Sequence, residues 1–341
     1  MNWTKSFPNG KINETQDRKT NMQRILIDTD PGVDDALAIL LAMRSPELHI
    51  EAITTVCGNV PVTQGTDNLL RILEVLDLEE FPHIAQGEAE PLVKPLVTAA
   101  HVHGDDGLGN VSHLRNSDGS PLYPPANTSV SSTSGVDLIL EMIARYPDEL
   151  TLVALGPLTN VAKAIRKDPE KMQRLQKIVV MGGAFEVYGN VTTTAEFNIF
   201  VDPHAAQEVL QSNVPIDIAP LDATHQVVLT GERLHAEVDN RSDRVSQFLK
   251  DATHACMEFY RQHVGFCGFH IHDALPIGML THPEYFESVE ANVQVETEGT
   301  LTNGMTVADL RPERRHPDPN AQVCIKVAAE AFLDHFFERL R

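Results

Sequence analysis

Six short apolar runs constrain this chain more than any other feature: Arg24 to Asp28, Leu48 to Val56, His83 to Gln86, Leu150 to Leu155, Lys177 to Met181 and Pro215 to Pro220. Each is bounded by Gly, Pro or Asp and reads as a strand. Between them lie amphipathic stretches: Asp34 to Met43, Thr66 to Leu76, Val136 to Tyr146 and Asp202 to Gln211. That alternation predicts βαβ units. The run Ile25 to Ile27 is apolar at every position, as a strand covered on both faces must be. The expected fold is α/β: an open, largely parallel Rossmann-like sheet flanked by helices. From about Thr224 to Gly268 the pattern turns helical and then aromatic, ending in "YRQHVGFCGFHIHDALP", which predicts a helical insertion over the sheet. Residues 116–135 read as a polar Pro/Ser/Thr loop.

With 341 residues, 42% of them hydrophobic, the chain can bury a sizeable core. No internal repeat or linker stands out, so the expectation is a single domain over 24–341 behind a polar, disordered tail over 1–23. The tail lacks the apolar segment of a signal peptide, and no run approaches a membrane span. Both point to a cytoplasmic protein. A net charge of -21 argues against nucleic acid or an anionic membrane as partner, because phosphate binding needs clustered Lys and Arg. The cysteines Cys57, Cys256, Cys267 and Cys324 show no Cys-x-x-Cys spacing and are expected to be reduced.

The stretch "ILIDTDPGVDDALAIL", 25–40, places Asp28, Asp30, Asp34 and Asp35 within eight positions. Carboxylates so crowded repel one another, so the loop is either splayed into solvent or built around something positive. Pro31-Gly32 makes a tight turn, and Asp34 sits where a helix N-cap is expected. Capping accounts for Asp34 but leaves the other three uncompensated. With no Cys or His in the loop, a hard cation suits it better than zinc.

Other chemically rich segments also follow predicted strands: "CGN" at 57–59, "LGPLTN" at 155–160 and "MGGAF" at 181–185. In a parallel sheet these loops share one edge, where ligands of open α/β folds bind. In "GNVTTTAEFN", Glu196 and Asn198 would face one side of an extended chain, a carboxylate beside an amide suited to sugar hydroxyls. In "HIHDALP", His272 and Asp273 precede a short helix, behind Gly265, Phe266, Gly268 and Phe269, which read as a mobile lid for a flat ligand. "HVHGDDGLGN" reads either as a flexible loop or as part of the site.

Taken in order, "DTDPGVDDALAILLA", "ITTVCGN", "HVHGDDGLGN", "VALGPLTN", "VVMGGAF", "GNVTTTAEFN", "DPHAA", "HD" at 272 and "GMTVADLR" resemble the inosine-uridine preferring nucleoside hydrolases, from about residue 24 to the C-terminus. The resemblance implies Ca²⁺-dependent hydrolysis of the N-glycosidic bond of ribonucleosides. Asp30, Asp35, the Leu155 carbonyl and Asp273 would hold the Ca²⁺. Asp34, Asn59, Asn190, Glu196 and Asn198 would hold the ribose hydroxyls, with Met181 beneath the sugar. His103 would line the base pocket, and His272 would serve the leaving base. Asp30 would be the general base toward water, and Asp28 would support the loop without binding metal. The family also implies a homodimer or homotetramer.

Two other classes fit parts of the pattern. A phosphatase of the haloacid dehalogenase type also begins with a strand followed by Asp-x-Asp, but the Asp34-Asp35 pair and the lack of a later acidic motif count against it. A Ca²⁺-dependent ribosyl-binding protein without turnover is the other. Within the hydrolase reading, the preferred base, including a modified one, stays open.

Overall fold

The computed structural model describes residues 22–311 and 318–341. The expected tail therefore lies outside the described residues as far as residue 21. The strands in chain order are β1 (Gln23–Thr29), β2 (Leu48–Thr55), β3 (His83–Gln86), β4 (Leu150–Ala154), β5 (Lys177–Met181), β6 (Ile216–Ala219), β7 (Val228–Thr230), β8 (Gly268–His270), β9 (Phe286–Ala291), β10 (Gln294–Val295), β11 (Thr306–Val307) and β12 (Ala321–Val327). Eight of them form one sheet in the order β3-β2-β1-β4-β5-β6-β12-β9. Every pair is parallel except β12 with β9. The largely parallel sheet is thus as expected, and its antiparallel margin is an addition.

Continuous burial explains the central strands. β1 is buried from Ile25 onward and β4 along its whole length, because helices cover both faces. One apolar cluster packs Ile25, Ile27 and Val153 against helix α1 (Val33–Met43) and helix Ala274–Thr281. The other packs Leu26, Leu152 and Ile178 against helices Gly135–Arg145, Thr159–Lys167 and Pro203–Leu210. Helix α1 buries ten of its eleven residues, Val33 to Ala42, so it is an interior helix whose polar first turn is buried too.

The region 224–268 departs in part from the helical expectation. Helices Gly231–Val238 and Arg244–His263 form most of it, but β7 and β8 close it as a two-stranded antiparallel ribbon. Three-residue strands are too short to show a period of two in sequence. The ribbon returns the chain to the sheet edge at His270. Among the described residues no helix is long and apolar enough to cross a membrane.

Candidate functional site

The loops after β1, β2, β4 and β5 open on one edge of the sheet. Connections run from β1 to β2 on one side and reach β4 on the other, so β1 and β4 flank the switch point where such sheets form a crevice. Asp28 lies at the root of that crevice, fully buried. Its Oδ1 accepts hydrogen bonds from Thr54 Oγ1 at 2.6 Å and Asn160 Nδ2 at 2.7 Å. Asn160 also donates to the Thr55 carbonyl at 2.9 Å and accepts from Glu88 N–H at 2.9 Å. One amide thus ties together the ends of β1, β2 and β3, holding Asp28 away from the carboxylates beyond it.

Asp30 is 1% exposed. Its Oδ2 accepts from Asn59 N–H at 2.7 Å, while its Oδ1 is buried with no hydrogen bond. Room for it is made by glycines: a Cβ on Gly58 would stand 1.9 Å from Oδ2, and one on Gly156 2.5 Å from Oδ1.

Helix α1 is capped by Gly32, two residues before the expected position, so Asp34 is not the cap. Its carboxylate lies past the position that accepts from the first turn. Asp35 instead accepts from Gly32 N–H at 2.9 Å, from Asn59 Nδ2 at 3.1 Å and from Thr29 Oγ1. Asp34 takes no part in that cap, and its Oδ1 is buried without a hydrogen bond. Carboxylate oxygens of Asp34, Asp35 and Asp273 lie within 4.8 Å of one another, all three residues buried.

Burial, then the charge of neighbouring aspartates, holds Asp30 and Asp273 well above the usual carboxylate range and pushes Asp34 up to about 8. Among the described residues the only basic side chain within 4.0 Å of these four carboxylates is His103, its Nδ1 4.0 Å from Asp34 Oδ1. Burial pushes His103 down to about 4, so it brings no charge at neutral pH. Four buried carboxylates, two with orphaned oxygens, and no counter-charge form an all-oxygen donor set that fits a hard divalent cation. The Leu155 carbonyl accepts from Asn198 Nδ2 at 2.6 Å, which leaves it a second lone pair.

Glu196 and Asn198 do meet at the site, by a different route from the extended chain expected. Glu196 is the N-cap of helix Phe197–Val201, its carboxylate accepting from Asn198 N–H at 2.9 Å, Ile199 N–H at 3.1 Å and Gly183 N–H at 3.2 Å. A carboxylate two to three residues before free N–H groups caps them, and that local bond overrides the extended form. Burial pushes Glu196 up to about 7 despite these donors. Asn198 reaches the Met181 carbonyl at 3.2 Å and its sulfur at 3.4 Å. Met181 is buried with Ala184 and Leu221. Asn190 is exposed, and its Oδ1 accepts from Phe197 N–H at 2.9 Å.

At the other end stand imidazoles. His103 Nδ1 accepts from Val33 N–H at 3.2 Å, joining the "HVHGDDGLGN" loop to the start of α1. That loop is tied together from within: buried Asp106 accepts from the N–H groups of Leu108, Asn110 and Ser112 at 2.7 to 2.9 Å. His272 is 9% exposed and shares a 2.7 Å hydrogen bond through Nδ1 with Thr224 Oγ1. Its ring centroid lies 5.7 Å from that of His270 and 5.8 Å from that of His225, with Tyr260 and Phe266 beyond His270. Of the predicted lid aromatics, Phe266 stands against His270, while Phe269 is buried in the core beside Tyr260. Sequence reasoning missed Asn160, Gly58, Gly156, Thr224, His225 and His270. "TN" at 159–160, one residue beyond the Gly156-Pro157 that follows β4, was the one visible sign of the first.

A buried acidic pocket at the switch point of a parallel sheet, with a polar clamp on one side and imidazoles on the other, defines the small-molecule site of an α/β enzyme. The profile of the inosine-uridine preferring nucleoside hydrolases matches residues 25–334. The pyrimidine-specific ribonucleoside hydrolase RihA of Escherichia coli (strain K12) is 38% identical over 322 residues, covering 93% of this chain and 98% of its own. A plant nucleoside hydrolase superposes with a TM-score of 0.84 at 31% identity, over 94% of this chain and 99% of its own. A purine-preferring ribonucleoside hydrolase from Gardnerella vaginalis does so with 0.83 at 32% identity, over 93% and 98%. The chain belongs to the inosine-uridine preferring nucleoside hydrolase family and is a ribonucleoside hydrolase.

Proposed function

We propose that this enzyme hydrolyses the N-glycosidic bond of ribonucleosides, pyrimidine nucleosides among them, in a Ca²⁺-dependent reaction, giving ribose and free base. The observation that carries the metal reading is the set of buried, uncompensated carboxylates with the orphaned Oδ1 atoms of Asp30 and Asp34. Asp30, Asp35, Asp273 and the Leu155 carbonyl would hold the cation, which when bound supplies the missing positive charge and polarises water. Ca²⁺ is preferred to Mg²⁺ because a carbonyl and several carboxylates from separate loops suit its larger, less regular shell.

Asp30 acts as general base. Its Oδ2 is fixed by Asn59 N–H, and its unpartnered Oδ1 is the oxygen left to take a proton from water. Asp34, Asn59, Glu196, Asn198 and the more exposed Asn190 hold ribose hydroxyls, and Met181 lies under the ring. Bonds to those hydroxyls strengthen as the sugar becomes oxocarbenium-like. His272 donates to the leaving base, and His103 lines its pocket. The pyrimidine reading is supported by the imidazoles at the base end of the site and by the E. coli relative, which is named pyrimidine-specific.

The domain reading is one hydrolase domain over 24–341 behind the tail, assembling as a homodimer or homotetramer in the cytoplasm. The test is release of reducing sugar from uridine, cytidine, inosine and adenosine, with calcium and after EDTA, beside release of phosphate from phosphoesters. Calcium-restored ribose release supports the reading. Phosphate release without ribose would return the phosphatase class, and binding without turnover the ribosyl-binding class.

A further inference from the structure

Thr224 ends the short helix Leu221–Thr224 and is fully buried. Its Oγ1 stands 2.7 Å from His272 Nδ1, a bond in which either atom can carry the proton. The direction follows from what else the hydroxyl reaches. Thr66, Thr253 and Thr281 give their hydroxyl protons to the carbonyl four residues back, at 2.8, 2.7 and 3.1 Å. Thr224 makes no such bond; among the described residues His272 Nδ1 is the sole partner of its hydroxyl. A buried O–H without an acceptor is costly, so this hydroxyl donates to Nδ1. A neutral imidazole that accepts at Nδ1 carries its hydrogen on Nε2.

We propose that Thr224 is a positioning residue that locks His272 in its Nε2–H tautomer, so that the ring presents a hydrogen-bond donor to the leaving base. The inference rests on the reading of His272 as the group serving that base. An Nδ1 that accepts from the Thr224 hydroxyl carries no proton, so the ring is neutral while that bond stands. For such a ring, tautomer alone decides whether the base meets a donor or a lone pair. Without the hydroxyl both tautomers are populated, and the Nδ1–H form turns a bare acceptor toward the base.

The experiment compares wild type, Thr224→Val, Thr224→Ser and His272→Ala, with calcium added, on uridine and on 4-nitrophenyl β-ribofuranoside. The nitrophenolate departs without help from a donor. Thr224→Val is expected to lower the ratio of kcat on uridine to kcat on the nitrophenyl riboside several-fold, in proportion to the Nε2–H fraction lost and short of the roughly 10²-fold that losing a whole proton-handling group costs. Thr224→Ser should restore it, and His272→Ala should lower it at least as far. ¹⁵N NMR of histidine-labelled protein should show His272 as a single Nε2–H tautomer in wild type and as a mixture in Thr224→Val. Equal losses on both substrates in Thr224→Val, or an Nδ1–H signature in wild type, would overturn the role of Thr224 alone. An unchanged ratio in His272→Ala would overturn the reading of His272 itself.

Discussion

Replacing Gly58 by alanine tests whether the geometry around Asp30 is what the enzyme depends on. The new Cβ would stand 1.9 Å from Asp30 Oδ2 and 2.8 Å from Pro157 Cδ, whereas real contacts below 3.0 Å are essentially never found. Proline backs the glycine, so the carboxylate must yield, by about 1.1 Å at least. That motion breaks the 2.7 Å bond from Asn59 N–H that fixes the carboxylate. A misplacement of about 1 Å costs roughly 10² in rate, and complete loss of a general base about 10² to 10⁴. Gly58→Ala should therefore lower kcat by about 10² or more, with a smaller effect on KM. Gly156→Ala places its Cβ 2.5 Å from Oδ1 and demands about half that motion, so it should be the milder variant. The assay is initial-rate ribose release at saturating calcium, with circular dichroism melting to show that both variants are folded. A Gly58→Ala enzyme within threefold of wild-type kcat, or one faster than Gly156→Ala, would refute the argument.

Three further outcomes follow from the same structure. Calcium at 100 times its dissociation constant should stabilise the fold by about 2.7 kcal/mol, which for a chain of this length raises Tm by roughly 4 °C; Asp35→Asn should abolish the shift in a melting assay. The gain should grow between pH 5 and 8.5. Asp34 sits near 8 when folded, above its unfolded value, so its contribution in metal-free protein is present in acid and lost as pH rises through about 8. His335 behaves oppositely: burial beside His282, whose ring centroid is 4.0 Å away, pushes it down to about 4. Its contribution is present above about 6.5 and lost as pH falls toward 4, so His335→Phe should flatten the fall in Tm over that window. Asn160→Ala removes partners from Asp28, the Thr55 carbonyl and Glu88 N–H, and should cost roughly 3 kcal/mol in chemical denaturation.

The central sheet was legible because its strands are short apolar runs cut off by Gly, Pro or Asp. The bounds of β3 and β5 agree to the residue, and the other four within one residue at either end. β9 was not legible: it is an edge strand reading FESVEA, with Glu287, Ser288 and Glu290 turned outward and only Ala291 fully buried. Edge strands are kept polar against further pairing, which erases the apolar signal. β12 (AQVCIKV) was not read either: its buried positions Ala321, Val323, Cys324 and Val327 follow no strict alternation, with Ile325 and Lys326 exposed between them. Residue types at the site were equally visible, but their local conformation was not. Asp34 and Glu196 are both acids at the start of a helix. The cap fell to Gly32 in one case and to Glu196 in the other, because a turn glycine was available only in the first.

The crowding of aspartates also shows what a sequence conceals. Repulsion among like charges is independent of how the loop is drawn, so it could be inferred from spacing alone. What separates the four carboxylates is the set of groups that hold them: Thr54 and Asn160 take Asp28, Asn59 N–H takes Asp30, Thr29 and Gly32 N–H take Asp35, and Asp34 keeps a free oxygen. All but Asn160 of those partners are backbone groups or small hydroxyls, which every sequence contains in abundance. Gly58 and Gly156 contribute by lacking an atom, and a missing Cβ carries meaning only once its neighbour at 1.9 or 2.5 Å is known. Chemistry that rests on charge is therefore announced in the sequence. Chemistry that rests on space appears only when the chain has closed around it.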